Sequence, residues 1–338
     1  MSSFGARLIG NAPAARRLAS GEAGGTGAHA YLLTGPEQVG KRTLALAFAS
    51  MVTCDAPTGA GACGACISCA AGARAAHPDV HIVERREDRR TIVIEQAQEV
   101  VRIATIRPYQ SQRKVIVIVD AESLEERAAN LMLKTIEEPA EDTRLVITAA
   151  DADRVLPTIR SRCREIALRA VPAAEIAHAL VERGVATDEA NLVSRLSAGR
   201  PGWALSTVAD PAILSRRAAH LALLDDILGT TPFARLPLAD RLDDARNLAR
   251  AREVMAIAFA TWTGWWRDAL VVHAGCPMLV ANVDRVNDLA RVASHLGAVE
   301  IVGAIARIAA AAVHLDDNVS PRLALEGLFL DLPHLARD

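Results

Sequence analysis

Apolar residues follow two regimes along the chain. In the first half, short runs that are apolar or β-branched at nearly every position (Tyr31 to Leu33, Val80 to Val83, Lys114 to Val119 and Arg144 to Ala149) alternate with segments of helical periodicity or turn residues. Continuous apolar runs suit strands covered on both faces, so they predict a parallel sheet flanked by helices and ending near Leu168. The first run leads into Gly35-Pro-Glu-Gln-Val-Gly40 and then an apolar-periodic stretch from Thr43 to Val52, which reads as strand, phosphate-type loop and helix. From Val171 onward no strand-like run stands out. Val171-Pro172, Ala-rich periodic segments and the punctuation of Gly199, Pro201 and Gly202 predict a small helical unit to about residue 207. Asp210-Pro211 marks a linker, and residues 212–334 read as longer helices, including Ala251 to Val272 and Val299 to His314. The predicted organisation is α/β at 1–168, a small helical domain at 169–207 and a larger helical domain at 208–338.

Composition narrows the class. With 338 residues, 51% of them apolar, the chain is long enough for two or three domains, and wholesale disorder is excluded. It has no uninterrupted run of 18 apolar residues, and Met1-Ser-Ser-Phe-Gly is not a basic-then-apolar leader, so neither a membrane span nor a secretory signal is expected and the cytoplasm is the default. A formal charge of -2 argues against coating nucleic acid by charge alone. Lysine is confined to Lys41, Lys114 and Lys134, which makes each of them worth following.

The sequence Gly35-Pro-Glu-Gln-Val-Gly40-Lys41-Arg42 fits G-x-x-x-x-G-K, a loop whose N–H groups wrap phosphates while its lysine neutralises them. The following position should be Ser or Thr to ligate Mg²⁺, and Arg42 cannot do so. Thr43 lies one residue late, about 100° round a helix. A glycine turn with an incidental lysine is the bland alternative; the scarcity of lysine favours a genuine phosphate-loop fold with weakened chemistry. Since Gly35, Gly40 and Lys41 persist, binding without hydrolysis and loss of binding are both compatible with the residues. Val115 to Val119 ends in Asp120, where a nucleotide hydrolase holds Mg²⁺ through water. The next residue should be the Glu that orients the attacking water, but it is Ala121, with Glu122 one step beyond.

Cys54-x8-Cys63-x2-Cys66-x2-Cys69 lies in a segment of Gly, Ala, Pro and Thr that cannot bury a core of its own. Four thiolates at these spacings can close a tetrahedral Zn²⁺ site, with metal ligation supplying the missing folding energy. Chance reduced cysteines are the alternative, disfavoured in an exposed polar segment. Four protein ligands leave no open position, so the expected role is structural. Thr158-Ile-Arg160-Ser161-Arg162-Cys163 follows the last predicted strand, at the edge of the α/β domain. An arginine there can reach a neighbour's γ-phosphate, although taken alone an exposed Arg is usually a solvated face.

The cysteine cluster, His29-Ala-Tyr-Leu-Leu-Thr-Gly-Pro36, Ala128-Ala-Asn-Leu-Met-Leu-Lys-Thr-Ile-Glu-Glu-Pro139 and Ser161-Arg-Cys163 together resemble bacterial clamp-loader subunits of the AAA+ class. Trp266-Arg-Asp268 and Asn318-Val-Ser-Pro-Arg-Leu-Ala-Leu-Glu-Gly-Leu-Phe-Leu-Asp-Leu-Pro333 resemble in particular a member of that family that does not hydrolyse ATP. The resemblance implies an AAA+ P-loop parallel-sheet domain with a zinc module at about 54–69, a small helical lid and a C-terminal helical collar that joins a ring. It implies gamma/tau and delta clamp-loader subunits of the DNA polymerase III holoenzyme as partners, with the sliding clamp and primed DNA reached through the complex. Gly35, Gly40, Lys41, Asp120 and Thr148 would form a degenerate nucleotide site, Thr148 at a sensor position. Gly202 stands where the motors carry a phosphate-sensing arginine, with Arg200 nearby, and Arg162 would be the finger offered in trans. The Trp262, Trp265 and Trp266 group reads as packing, and Cys163 as a small buried apolar residue. Two other functions stay open on the residues: an active gamma/tau-type ATPase that tolerates Arg42 and Ala121, and a zinc-dependent nucleic-acid binder. The latter is weakened by the lack of interleaved basic and aromatic residues in the cluster.

Overall fold

The computed structural model describes residues 8–23, 27–58, 61–74, 76–86, 89, 91–242, 247–316 and 319–335. Asn318 of the C-terminal motif and residues 1–7 of the first predicted domain lie outside these. The chain divides into two compact units, residues 1–190 with 199–203 and residues 191–198 with 204–338.

The first unit is built on five parallel strands: β1 (Ala30–Thr34), β2 (Val80–Val83), β3 (Lys114–Ile118), β4 (Thr143–Ala149) and β5 (Arg164–Ala167), in the order β2-β3-β4-β1-β5. Side chains alternate faces along a strand, and both faces are apolar here. Tyr31, Leu33, Val115, Val117, Val146 and Ile166 join Leu44 and Phe48 of the helix Lys41–Val52 on one face. Ala30, Leu32, Ile116, Ile118, Leu145 and Ile147 join Val100, Met132 and Ile136 of the helices Ile94–Thr105 and Glu126–Glu137 on the other. The four strands expected from apolar runs are all present. β5 was not expected as a strand: Arg164-Glu-Ile-Ala buries only Ile166 and closes one edge of the sheet. β2, at the opposite edge, is half-buried along its whole length rather than covered on both faces.

The second unit contains the helices Ala212–Leu228, Leu248–His273, Val286–His295, Ala298–Asp316 and Pro321–Asp331, with a 3-10 stretch over Pro232–Arg241. Asp210 caps the first of these through Ala212 N–H (3.0 Å), at the predicted linker. Trp262, Trp265 and Trp266 are buried in its core, Trp262 donating its indole N–H to His220 O at 2.8 Å, as expected of packing residues. Asp268 is fully buried and accepts from Ala281 N, Asn282 N and Asn282 Nδ2 at 2.7–2.9 Å, so the Trp266-Arg-Asp268 motif pins the loop before Val283. Arg235, also fully buried, donates to the carbonyls of Thr230, Phe329, Leu332 and Pro333 and caps the last helix. Within Ala298–Asp316 the window Ala298–Leu315 is long and apolar enough to cross a membrane by length and composition, even though Glu300 and Arg307 interrupt it. Its Ile301, Ala304, Ile308, Ala311 and Leu315 pack into the core of this unit.

Candidate nucleotide and metal sites

Parallel sheets place ligands at the carboxyl ends of their strands, and there the predicted residues converge. β1 delivers the loop Gly35 to Gly40, β3 delivers Asp120 and β4 delivers Thr148; β4 pairs with both of the others. Gly35 has φ 138°, and a Cβ there would lie 2.4 Å from Leu168 O, so this turn requires glycine. Lys41 is buried at the start of its helix and its ammonium donates to Gly35 O (2.6 Å) and Pro36 O (2.9 Å) of its own loop. Burial pulls its pKa down, opposed by the carboxylates of Asp120, Glu122 and Glu37. Arg42, at the Mg²⁺-ligand position, points instead to Glu84 in an exposed ion pair of 3.3 Å.

Asp120 adopts a left-handed conformation, φ 55° and ψ 65°, and donates its N–H to Thr148 Oγ1 at 3.0 Å. That kink carries Glu122 back to the end of β4, where Oε1 accepts Ala150 N–H at 2.8 Å and Oε2 is buried without a hydrogen-bond partner among the described residues. Glu122 therefore stitches two strand ends together, which strand alternation alone could not have told.

The loop is also fastened by Gly202. Gln38 takes φ 59°, and its carbonyl accepts Gly202 N–H at 2.9 Å. A Cβ on Gly202 would meet that same oxygen at 2.9 Å, so no side chain fits at the position matched to the motors' sensor arginine. Arg200 stacks over the Trp203 ring at 5.9 Å.

Arg162 lies between the short helix Pro157–Arg160 and β5. Its Nε donates to Glu137 Oε2 at 2.7 Å and Nη1 to Thr158 O at 3.0 Å, which aims a partly exposed guanidinium from the domain edge. Glu137 belongs to the Leu-Lys-Thr-Ile-Glu-Glu motif but was not singled out by the sequence. Cys163 is half-buried beside the sheet core, and burial raises its thiol to about 12. Of the other lysines, Lys134 is exposed, whereas Lys114 is buried and caps the helix Ile94–Thr105 through Ile103 O (2.8 Å) and Ile106 O.

The four cysteines come together. The Sγ atoms of Cys54, Cys63, Cys66 and Cys69 all lie within 4.8 Å of one another, with separations of 3.6 Å (54 to 69), 3.8 Å (63 to 69) and 3.9 Å (54 to 66). A tetrahedron with Zn–S near 2.3 Å has edges of about 3.8 Å, so the cluster fits such an ion. Backbone N–H groups of Cys63, Gly64, Cys66 and Cys69 donate to these sulfurs at 3.3–3.4 Å, as suits thiolates. Hydrogen bonds from Ala65 and Cys66 bring Cys63 down to about 6, while burial pushes Cys69 up to about 12 and raises Cys54. A cation at the centre would reverse the last two.

The family described as "DNA polymerase III, delta subunit" matches residues 10–172. The DNA polymerase III subunit delta′ of Pseudomonas aeruginosa is 41% identical over 136 residues, 40% of this chain and 42% of that protein. The Escherichia coli subunit of the same name is 28% identical over 286 residues, 84% of this chain and 82% of that protein. This chain thus spans less than half of the first relative and most of the second. A DNA polymerase III gamma subunit-related protein of Thermotoga maritima has a similar fold, with TM-score 0.50 and 15% identity over 93% of this chain and 95% of that one. Taken with the parallel sheet and the altered phosphate loop, these matches make the chain similar to the delta′ subunits of DNA polymerase III, over most of its length in the case of the Escherichia coli protein.

Proposed function

We propose that this protein is a non-hydrolysing clamp-loader subunit of the DNA polymerase III holoenzyme, supporting ATP-dependent loading of the sliding clamp onto primed DNA in the cytoplasm. The carrying observation is the phosphate loop's internal closure: Lys41 is engaged by the carbonyls of Gly35 and Pro36, and Arg42 fills the position of the Mg²⁺ ligand. Lys41 can neutralise a bound phosphate only by leaving those carbonyls. Arg162 remains presented and is the cation offered to ATP held by an adjacent gamma/tau subunit, where it offsets charge that develops during phosphoryl transfer. Delta and gamma/tau are the protein partners; residues 169–207 act as the lid and 208–338 as the ring-forming collar. Cys54, Cys63, Cys66 and Cys69 hold Zn²⁺, which supplies folding energy to a segment without an apolar core.

The test is Mg²⁺-dependent ATP hydrolysis by the purified chain, alone and after co-purification with the partner ATPase. No turnover alone, with stable association, is expected. Steady turnover at motor rates by the chain alone would establish a gamma/tau-type ATPase instead.

A further inference from the structure

The turn between the helix Ile94–Thr105 and β3 is held from below by a single carboxylate. Asp79, buried just before β2, accepts three successive backbone N–H groups: Tyr109 at 2.5 Å, Gln110 at 2.8 Å and Ser111 at 2.7 Å. His77 completes this footing. Its Nδ1 accepts Asp79 N–H at 3.1 Å, which leaves the ring proton on Nε2, 3.2 Å from Ser111 Oγ.

From above, the same turn is held by the residues next to the cysteines. Ser111 Oγ donates to the carbonyl of Thr53, the neighbour of Cys54, at 2.9 Å. Gln110 Nε2 donates to Ser68 Oγ at 3.1 Å, and Ser68, flanked in sequence by Cys66 and Cys69, donates on to Asp55 Oδ1 at 2.8 Å. Both links therefore end beside a sulfur ligand. Among the described residues, the buried apolar ones of the cysteine segment are Cys54, Ala62 and Cys69, with Cys63 and Cys66 packed against them. Thr53 is also held by the helix Lys41–Val52, its N–H and Oγ1 both donating to Ala49 O at 3.0 Å, so of the two links it is the one through Ser68 that depends on the four sulfurs.

We infer that the four-cysteine module is a brace for the 109–111 turn, so that a divalent metal bound by the sulfurs sets the conformation of a surface segment carrying Tyr109, 88% exposed, and Ile106, half exposed. The inference rests on the metal reading of the cysteines and goes beyond it, because it assigns the module a task outside its own loop. Lys114 fixes the root of the segment through Ile103 O and Ile106 O, Asp79 and His77 its floor and Thr53 one side, so the module supports the side at Gln110 through Ser68.

The experiment begins with zinc content of the full chain, followed by amide hydrogen exchange of residues 109–111 in zinc-loaded and chelator-stripped protein. One zinc per chain is expected, with exchange at Gln110 and Ser111 accelerating by about tenfold or more on stripping. In a Gln110→Ala, Ser111→Ala double variant zinc should still bind, because no ligand is touched, and stripping should change exchange at 109–111 by no more than about twofold. If zinc binds and its removal loosens 54–69 while 109–111 exchanges at an unchanged rate, the brace is refuted and the metal site stands. If the native chain binds no zinc, both fall.

Discussion

Arg162→Ala tests the proposed finger separately from the fold. Within the chain this arginine makes one ion pair with Glu137 and one bond to Thr158 O, both at a partly exposed edge. Such pairs are worth at most about 1 kcal/mol, so thermal unfolding and ring assembly should be nearly unchanged. In the assembled loader, a trans arginine that stabilises phosphoryl-transfer charge is worth about 10³–10⁵ in kcat, or about 4–7 kcal/mol of barrier at the one ATP site it serves. The geometry adds a graded control. Nε and Nη1 are occupied, so Glu137 and Thr158 set the plane of the guanidinium. Arg162→Lys keeps the charge but cannot be held at two nitrogens while presenting a third, and should recover little activity. Glu137→Gln keeps an acceptor without the charge and should cost only several-fold. The assay is clamp- and DNA-stimulated ATP hydrolysis by a reconstituted ring in which only the adjacent motor is competent to hydrolyse, with melting curves as the folding control. Full turnover by a well-assembled Arg162→Ala ring would refute the reasoning.

Two further outcomes test structural claims. Arg235→Met, which leaves the carbonyls of Phe329 and Leu332 without their buried donor, should destabilise the second unit by about 3 kcal/mol or more in urea denaturation, and a loss below about 1 kcal/mol would contradict the capping role. For Asp79, burial acts to raise the carboxyl pKa, but the N–H groups of Ser111, Tyr109 and Gln110 outweigh it and hold the group below its ordinary 3.8. Its stabilisation is therefore fully present at neutral pH and is lost as pH falls from about 3.8 through the folded value; the stability gap between zinc-stripped wild type and zinc-stripped Asp79→Asn should close over that range and stay constant above it.

The sheet was legible where burial forces a strand to be apolar on both faces, as in β1, β3 and β4. β5 was invisible because an edge strand needs one buried residue, Ile166, and its other positions are free to be Arg, Glu and Ala. The cysteine cluster was legible because C-x2-C-x2-C confines three ligands to one turn and the start of a helix, so spacing along the chain is already geometry. Asp79 and Tyr109 are thirty positions apart, and Arg235 lies still farther from Leu332; no periodicity couples such residues. The scarcity of lysine drew attention to Lys41 and Lys114 alike, yet Lys114 proved to be a helix cap.

On the proposed reading, the nucleotide site gives a reason why hydrolysis can be lost while Arg162 keeps its orientation. The altered positions, Arg42 and Ala121, lie after β1 and β3, and the contacts around them are local: an ion pair from Arg42 to Glu84, and beside Ala121 a left-handed Asp120 and a Glu122 that accepts Ala150 N–H. Arg162 draws its orientation from Glu137 and Thr158, neither of which touches the phosphate loop among the contacts described. Substitutions that disable one therefore need not perturb the other. The Gly202 contact goes further, because a Cβ at that position already meets the Gln38 carbonyl. Restoring Thr at 42 and Glu at 121 would leave the loop still fastened. On the proposed reading, the Gln38–Gly202 backbone contact is a third departure beside the two altered side chains.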